Sequence, residues 1–193
     1  MKYSNKKNNN INILLIGFNR SDLISKSIKR LKKIDEIELW ISIDGPRKNN
    51  SLDLIEINKI KDICRLEKIQ NNNLKFNNNN LGCRIGVIDA VNWFFSNVND
   101  GIIIEDDIEL ERNYIFQINH LLKKYSKDKS IYSISSHNSI NAPNYLRNKN
   151  DFYLMPTCRV WGWGTWKDRW ENHIKSTQKL EKSSLIRLFF STP

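Results

Sequence analysis

Three short apolar runs, each giving way to polar residues, constrain this chain most. Ile11–Phe18, Ile37–Ile43 and Gly101–Ile104 are nearly continuous in apolar side chains, the pattern of strands buried on both faces of a parallel sheet. Helical spacings separate and follow them. Leu23, Ile24, Ile28 and Leu31 recur behind Ser21, which reads as the N-cap, and a mixed helical stretch runs from about Leu52 to Ile63. Ile85, Ile88, Ala90, Val91, Phe94 and Phe95 form a further set, and Ile115, Ile118, Leu121 and Leu122 mark the inner side of Tyr114–Tyr125. A weaker strand is expected near Leu66–Ile69, and a further strand at Ile131–Ile134. This alternation predicts an α/β fold: an open, mostly parallel sheet flanked by helices, with right-handed crossovers. The 193 residues, 39% of them apolar, suffice for one such domain, and no repeat or linker divides them. Residues 1–10 are expected to be a flexible N-terminus and 11–193 a single domain.

Parallel strands put all their carboxyl ends on one edge, where ligands bind. Three polar clusters stand immediately after the three strands: Asn19-Arg20, Asp44 and Glu105-Asp106-Asp107. They are predicted to converge although they are far apart in sequence. Three adjacent carboxylates repel one another and are costly to desolvate, so they call for a cation or several donors. A hard divalent ion, Mg²⁺ or Mn²⁺, sharing oxygen ligands with a substrate diphosphate would meet that need and stabilise the diphosphate as it leaves. An arginine's donor fork suits the same phosphates. Blander readings stand beside these. An acidic triplet also suits a solvated helix N-terminus, Asp44 before Gly45-Pro46 also suits a plain turn, and Arg20 can be an exposed helix-start residue.

The net charge of +10 and pI of about 9.5 admit phosphate-bearing small molecules, nucleic acid or acidic membrane surfaces, and equally a Lys-rich solvated surface. No recognition motif supports nucleic acid. Lys26, Lys29, Arg30, Lys32 and Lys33 point no further than to peripheral association with the inner face of a membrane. Cys64, Cys83 and Cys158 lack CxxC spacing and are expected to be reduced, buried thiols. The basic Met1–Asn10 segment precedes only about eight apolar-rich residues, too few for a signal peptide or a span, so a cytoplasmic location is expected. The runs Asn71–Asn73 and Asn77–Asn80 read as loop composition without function. His120, His137 and His173 show no ligand spacing and are assigned no catalytic role.

Further motifs complete an ordered set: Phe18-Asn19-Arg20, Ser42-Ile43-Asp44-Gly45, Asn80-Leu81-Gly82-Cys83, Trp93-Phe94-Phe95, Gly101-Ile102-Ile103-Ile104-Glu105-Asp106-Asp107 and Trp161-Gly162-Trp163-Gly164-Thr165-Trp166. In this order, over residues 11–170, the chain resembles bacterial nucleotide-diphospho-sugar transferases related to the N-acetylglucosaminyltransferase I group of GT-A enzymes. The resemblance implies a GT-A, Rossmann-like sheet and a glycosyltransferase. Such an enzyme moves a sugar, with inversion, from a nucleotide-diphosphate donor, expected to be a UDP-sugar, to a saccharide or glycolipid acceptor in cell-surface polysaccharide assembly. It implies that Asp107 ligates Mn²⁺ or Mg²⁺ and that Glu105 and Asp106 face sugar and ribose. Asn19, Arg20, Asp44 and Arg84 would hold the nucleotide, and Trp161, Gly162 and Trp163 would line the donor and acceptor cleft.

One departure bears on catalysis. Related inverting enzymes carry a general base, usually an Asp on a loop after the tryptophan–glycine block. Here only Asp168, Glu171 and Glu181 follow that block. The expectation is therefore a base that is missing or lies beyond Pro193, and an incomplete acceptor side. Two rival functions follow: a sugar-nucleotide-binding remnant with little activity, and a Mg²⁺-dependent phosphotransferase or phosphatase. The second usually needs two Asp spaced by one residue, which the triplet lacks.

Overall fold

Each of the three apolar runs forms a strand, because side chains alternating to both faces of a sheet can all be apolar only where helices cover both faces. The structure, a computed structural model, describes residues 10–135 and 154–181. Strand β1 (Ile11–Gly17) leads to helix α1 (Ser21–Leu31), β2 (Ile37–Ile43) to α2 (Ser51–Leu66), and β3 (Leu74–Phe76) to α3 (Gly82–Asn97). Strand β4 (Asp100–Glu105) is followed by α4 (Arg112–Lys124), the short β5 (Ile134–Ser135), β6 (Trp163–Trp166) and α5 (Lys167–Glu181).

The sheet order is β3-β2-β1-β4-β6-β5. The first four strands run parallel, and β6 lies antiparallel between β4 and β5. Ile13, Leu15, Ile41, Ile43, Ile102 and Ile104 pack on one face against α1, α2 and α4. Leu14, Ile16, Trp40 and Ile103 point to the other face, against Ala90, Val91, Phe94 and Phe95 of α3 and Trp170 of α5. This is a three-layer α/β/α arrangement. The chain winds outward from β1 through β2 to β3, then crosses by α3 to β4 on the other side of β1. The carboxyl ends of β1 and β4 therefore flank a topological switch point, the place where open α/β sheets bind ligands.

Several expectations are corrected. Helix α2 runs on through Leu66, so the strand expected at Leu66–Ile69 is displaced to Leu74–Phe76, after a 3₁₀ turn at Asn71–Asn73. The expected strand at Ile131–Ile134 shrinks to Ile134–Ser135. Strand β6, inside the tryptophan–glycine block, carried no strand signal. Ser21 lies inside α1 and does not cap it; its hydroxyl donates to Glu56 (2.6 Å), and Arg20 occupies the cap position without a capping side-chain bond. Cys64 is buried, and burial pushes its thiol up to about 11, but Cys83 and Cys158 are exposed. His120 is exposed on α4 and His173 on α5. Residues 1–9, His137 and Leu188–Pro193 lie outside the described residues. Among the described residues no helix is long and apolar enough to cross a membrane.

Candidate functional site

The parallel register brings the predicted clusters to one edge. Gly17 lies opposite Ile43, Ile16 opposite Glu105, and Ile43 opposite Phe76, so β1, β2, β3 and β4 end at nearly one level. Asn19-Arg20, Asp44, the Asn77–Gly82 loop and Glu105-Asp106-Asp107 all follow directly. Strand β6 runs the other way, with Trp163 opposite Ile103, which brings Trp161 and Gly162 to the same edge.

At the switch point the guanidinium of Arg20 reaches across from β1 to the β4 turn. Its Nε donates to Asp106 Oδ2 (3.1 Å), its Nη2 donates to Asp106 Oδ1, and its Nη1 donates to Asp107 Oδ2 (3.3 Å). The three carboxylates are not equivalent. The side chain of Asp106 is buried, and burial raises its carboxyl above the ordinary range although the Arg20 hydrogen bonds pull it down. Ser27 Oγ donates to the Asp106 carbonyl (3.5 Å), fixing the turn from α1. Glu105 is half-buried, and its carboxyl is raised by burial first and by the neighbouring Asp107 and Asp106 charges second. Its carboxylate has no hydrogen-bond partner among the described residues. Asp107 is 50% exposed, and Arg20 is the partner of only one of its oxygens.

Arg20 engages both oxygens of Asp106 and one oxygen of Asp107, whereas the Glu105 carboxylate makes no hydrogen bond among the described residues. Among the described residues no group of three or more His, Cys, Asp or Glu side chains converges as a metal cage. A hard ion held by one carboxylate, a diphosphate and water needs no such cage. The half-exposed carboxylate of Asp107 fits that kind of site, with hard oxygen as donor.

Asp44 also lies on this edge, but its carboxylate is occupied within the chain. Oδ1 accepts from Gly45 N (2.9 Å), Asn77 Nδ2 (3.3 Å) and Leu81 N (3.0 Å). Oδ2 accepts from Asn80 Nδ2 (3.0 Å) and Gly82 N (3.1 Å). Those contacts fill its lone-pair sites and place a negative charge at the N-terminus of α3, where the helix dipole favours it. Asn77 and Asn80 therefore have a structural task that composition concealed. Gly45 is required here: a Cβ would sit 2.5 Å from the Asn79 backbone. Arg84 stands exposed in the first turn of α3, beside the loop that Asp44 anchors.

Sequence reasoning missed Asp53 and Arg47. The Asp53 side chain is buried in the first turn of α2 and accepts from Arg47 N (3.1 Å), Nε (2.8 Å) and Nη2 (2.9 Å), and from Asn19 Nδ2 (2.7 Å). The Arg47 hydrogen bonds, first among the causes, hold its carboxyl far below the ordinary range. Asn19 is thus a tie between the β1–α1 and β2–α2 connections. An acid three residues after Asn50, whose side chain caps α2, reads from sequence as ordinary helix-start chemistry; its burial is invisible there.

In the tryptophan–glycine block, Trp161 is 57% exposed at the edge. Trp163 is half-buried against Trp170, ring centroids 6.2 Å apart, and Trp166 is core, its indole donating to the Leu122 carbonyl (3.0 Å). Gly162 has φ +67°, and a Cβ there would meet Leu110 at 2.6 Å. Asp168 lies at the wrong end of the sheet for the triplet. Trp166 pairs with Asp100 at the start of β4 and α5 begins there, a strand length of roughly 17 Å from Glu105 at about 3.3 Å per residue. Its oxygens are held by Lys129 (2.5 Å) and Arg169 (2.9 Å). Glu171 follows one turn on and is exposed. The shallow surface depression lined by Ile11, Glu36, Phe116 and Lys123 also lies at that far edge and has no convergent chemistry. No protein-family model matches the chain, and no curated protein matches its sequence.

Proposed function

We propose that this chain is a GT-A-type glycosyltransferase that binds a nucleotide-diphosphate sugar, a UDP-sugar foremost, at the carboxyl edge of its sheet. The observation that supports it most is the Arg20 fork clamped by the buried Asp106 at the switch point, beside the half-exposed Asp107. Asp107 would hold Mn²⁺ or Mg²⁺, and the ion would supply Lewis-acid stabilisation of the departing diphosphate. Arg20 would present its remaining donors to the phosphates without having to be reordered, since Asp106 already fixes its plane. Glu105, the half-buried carboxylate next to them, is available to accept from a sugar or ribose hydroxyl. The exposed Trp161 stands on the same edge. A saccharide or glycolipid is the proposed acceptor.

The rival reading, a chain that binds donor and transfers little, has an observation of its own: Asp168 is bound to Lys129 and Arg169 at the opposite edge. A general base must come within about 2.6–3.2 Å of the acceptor hydroxyl, or act through one water. Calorimetric titration of UDP with and without Mn²⁺ tests the shared core of both readings. Metal-dependent binding is expected in the wild type, with Asp107→Ala losing the metal-dependent part, tenfold or more in affinity, about 1.4 kcal/mol or above. Equal, metal-dependent affinity in both proteins would reject the assignment of Asp107.

A further inference from the structure

We propose that Arg47, positioned by the buried carboxylate of Asp53, is a second phosphate-contact residue of this edge; the inference rests on the nucleotide-diphosphate reading above. Arg47 lies in the connection from β2 to α2, next to the turn that carries Asn19 and Arg20. Its side chain is 56% exposed, whereas that of Asp53 is 1% exposed. A carboxylate is costly to bury unless it is paired and hydrogen-bonded. Here the pairing is a planar fork, Nε (2.8 Å) and Nη2 (2.9 Å) on the two oxygens. Asn19 Nδ2 and the Arg47 backbone N–H complete the set.

The fork uses two of the five N–H groups of the guanidinium. Nη1 has no partner among the described residues, and the Phe18 ring supports the group from below, 5.5 Å from Cζ. The inner edge of the guanidinium is therefore fixed and its outer edge is left at the carboxyl edge of the sheet. Such a side chain is orientationally preorganised, so an anion that meets it does not have to order it. The same carboxylate binds Asn19, the neighbour of Arg20. Asp53 thus ties the two arginine-bearing connections of β1 and β2 to a single buried point.

A purely structural role for the pair, closing the loop before α2, predicts a different outcome from a phosphate contact. Loop closure would affect UDP and uridine alike; a phosphate contact affects only UDP. UDP and uridine are titrated against the full chain with Mn²⁺, in the wild type, Arg47→Gln, Arg47→Lys and Asp53→Asn, with Tm measured for each. Arg47→Gln is expected to weaken UDP about tenfold and uridine less than twofold. Asp53→Asn should weaken UDP in the same selective way although the guanidinium remains. Arg47→Lys keeps Asp53 paired and the charge in place, so it should lie between wild type and Arg47→Gln; it serves as the reading should Arg47→Gln unfold. UDP affinity unchanged in Arg47→Gln and Arg47→Lys, or UDP and uridine weakened in equal proportion, overturns the proposal while leaving the nucleotide reading standing. A wild-type chain that does not bind UDP overturns both.

Discussion

Asp44 and Glu105 stand on the same sheet edge and illustrate opposite uses of a carboxylate. Asp44 is satisfied by the backbone N–H groups of Gly45, Leu81 and Gly82 and the amides of Asn77 and Asn80. Removing it strands several donors at once, so Asp44→Ala is expected to cost about 1–3 kcal/mol, read as a lower urea midpoint. An unchanged midpoint would mean that water replaces the carboxylate without loss. Glu105 is the reverse case: burial and the Asp107 and Asp106 charges raise its carboxyl above the ordinary 4.5. The folded chain then holds that proton more firmly than the unfolded chain. Ionisation of Glu105 therefore removes stability as pH rises from 4.5 through the folded value. Glu105→Gln should raise Tm at pH 7, with the gain shrinking as the pH falls toward 4.5. A gain that grew on acidification would contradict this sign.

At the level of elements, what was legible depended on whether burial left a one-dimensional trace. Strands β1, β2 and β4 were readable because both of their faces are covered, which makes the run continuous. The convergence of Asn19-Arg20, Asp44 and the triplet followed from parallel direction alone. Strand β6 left no such trace, since Trp163-Gly164-Thr165-Trp166 mixes bulky and small residues to fit beside Ile118 and Leu122. The displaced β3 was hidden because α2 runs past the expected end, burying Cys64 and stopping only at Leu66. The partners of Asp44 and Asp53 were unreadable for another reason: each is a long-range contact between two connections, and no local period marks it. Gly162 was visible as a tight pass, and the geometry explains it. With φ +67° and Leu110 behind it, Gly162→Ala should cost about 1–3 kcal/mol from backbone strain, measured by urea unfolding. A smaller loss would mean that Leu110 and the turn relax together.

Across the whole molecule, the sheet separates two kinds of carboxylate by its two edges. The edge at the ends of β1 and β4 holds groups that are buried against one another or half-exposed beside Arg20. At the far edge Lys123 pairs with Asp100 and Lys129 with Asp168, ordinary ion pairs that tie α4 to β4 and α5 to the segment after α4. Asp168 is the decisive case, being the first acid after the tryptophan–glycine block and thus the sequence's nearest candidate for a base. Burial works to raise its carboxyl, but the Lys129 and Arg169 hydrogen bonds outweigh that and hold it below its ordinary 3.8. A depressed carboxyl contributes stability above 3.8 and loses it as pH falls through the folded value. Asp168→Asn is therefore expected to lower stability by about 0.5–1 kcal/mol at pH 7, the partly exposed pair being screened by solvent, with the deficit fading in acid. UDP affinity in the presence of Mn²⁺ should stay within about twofold of wild type, because a strand length separates this residue from Arg20 and Asp107. A selective loss of sugar transfer with stability intact would instead make Asp168 the base, and would require the far edge to approach the triplet.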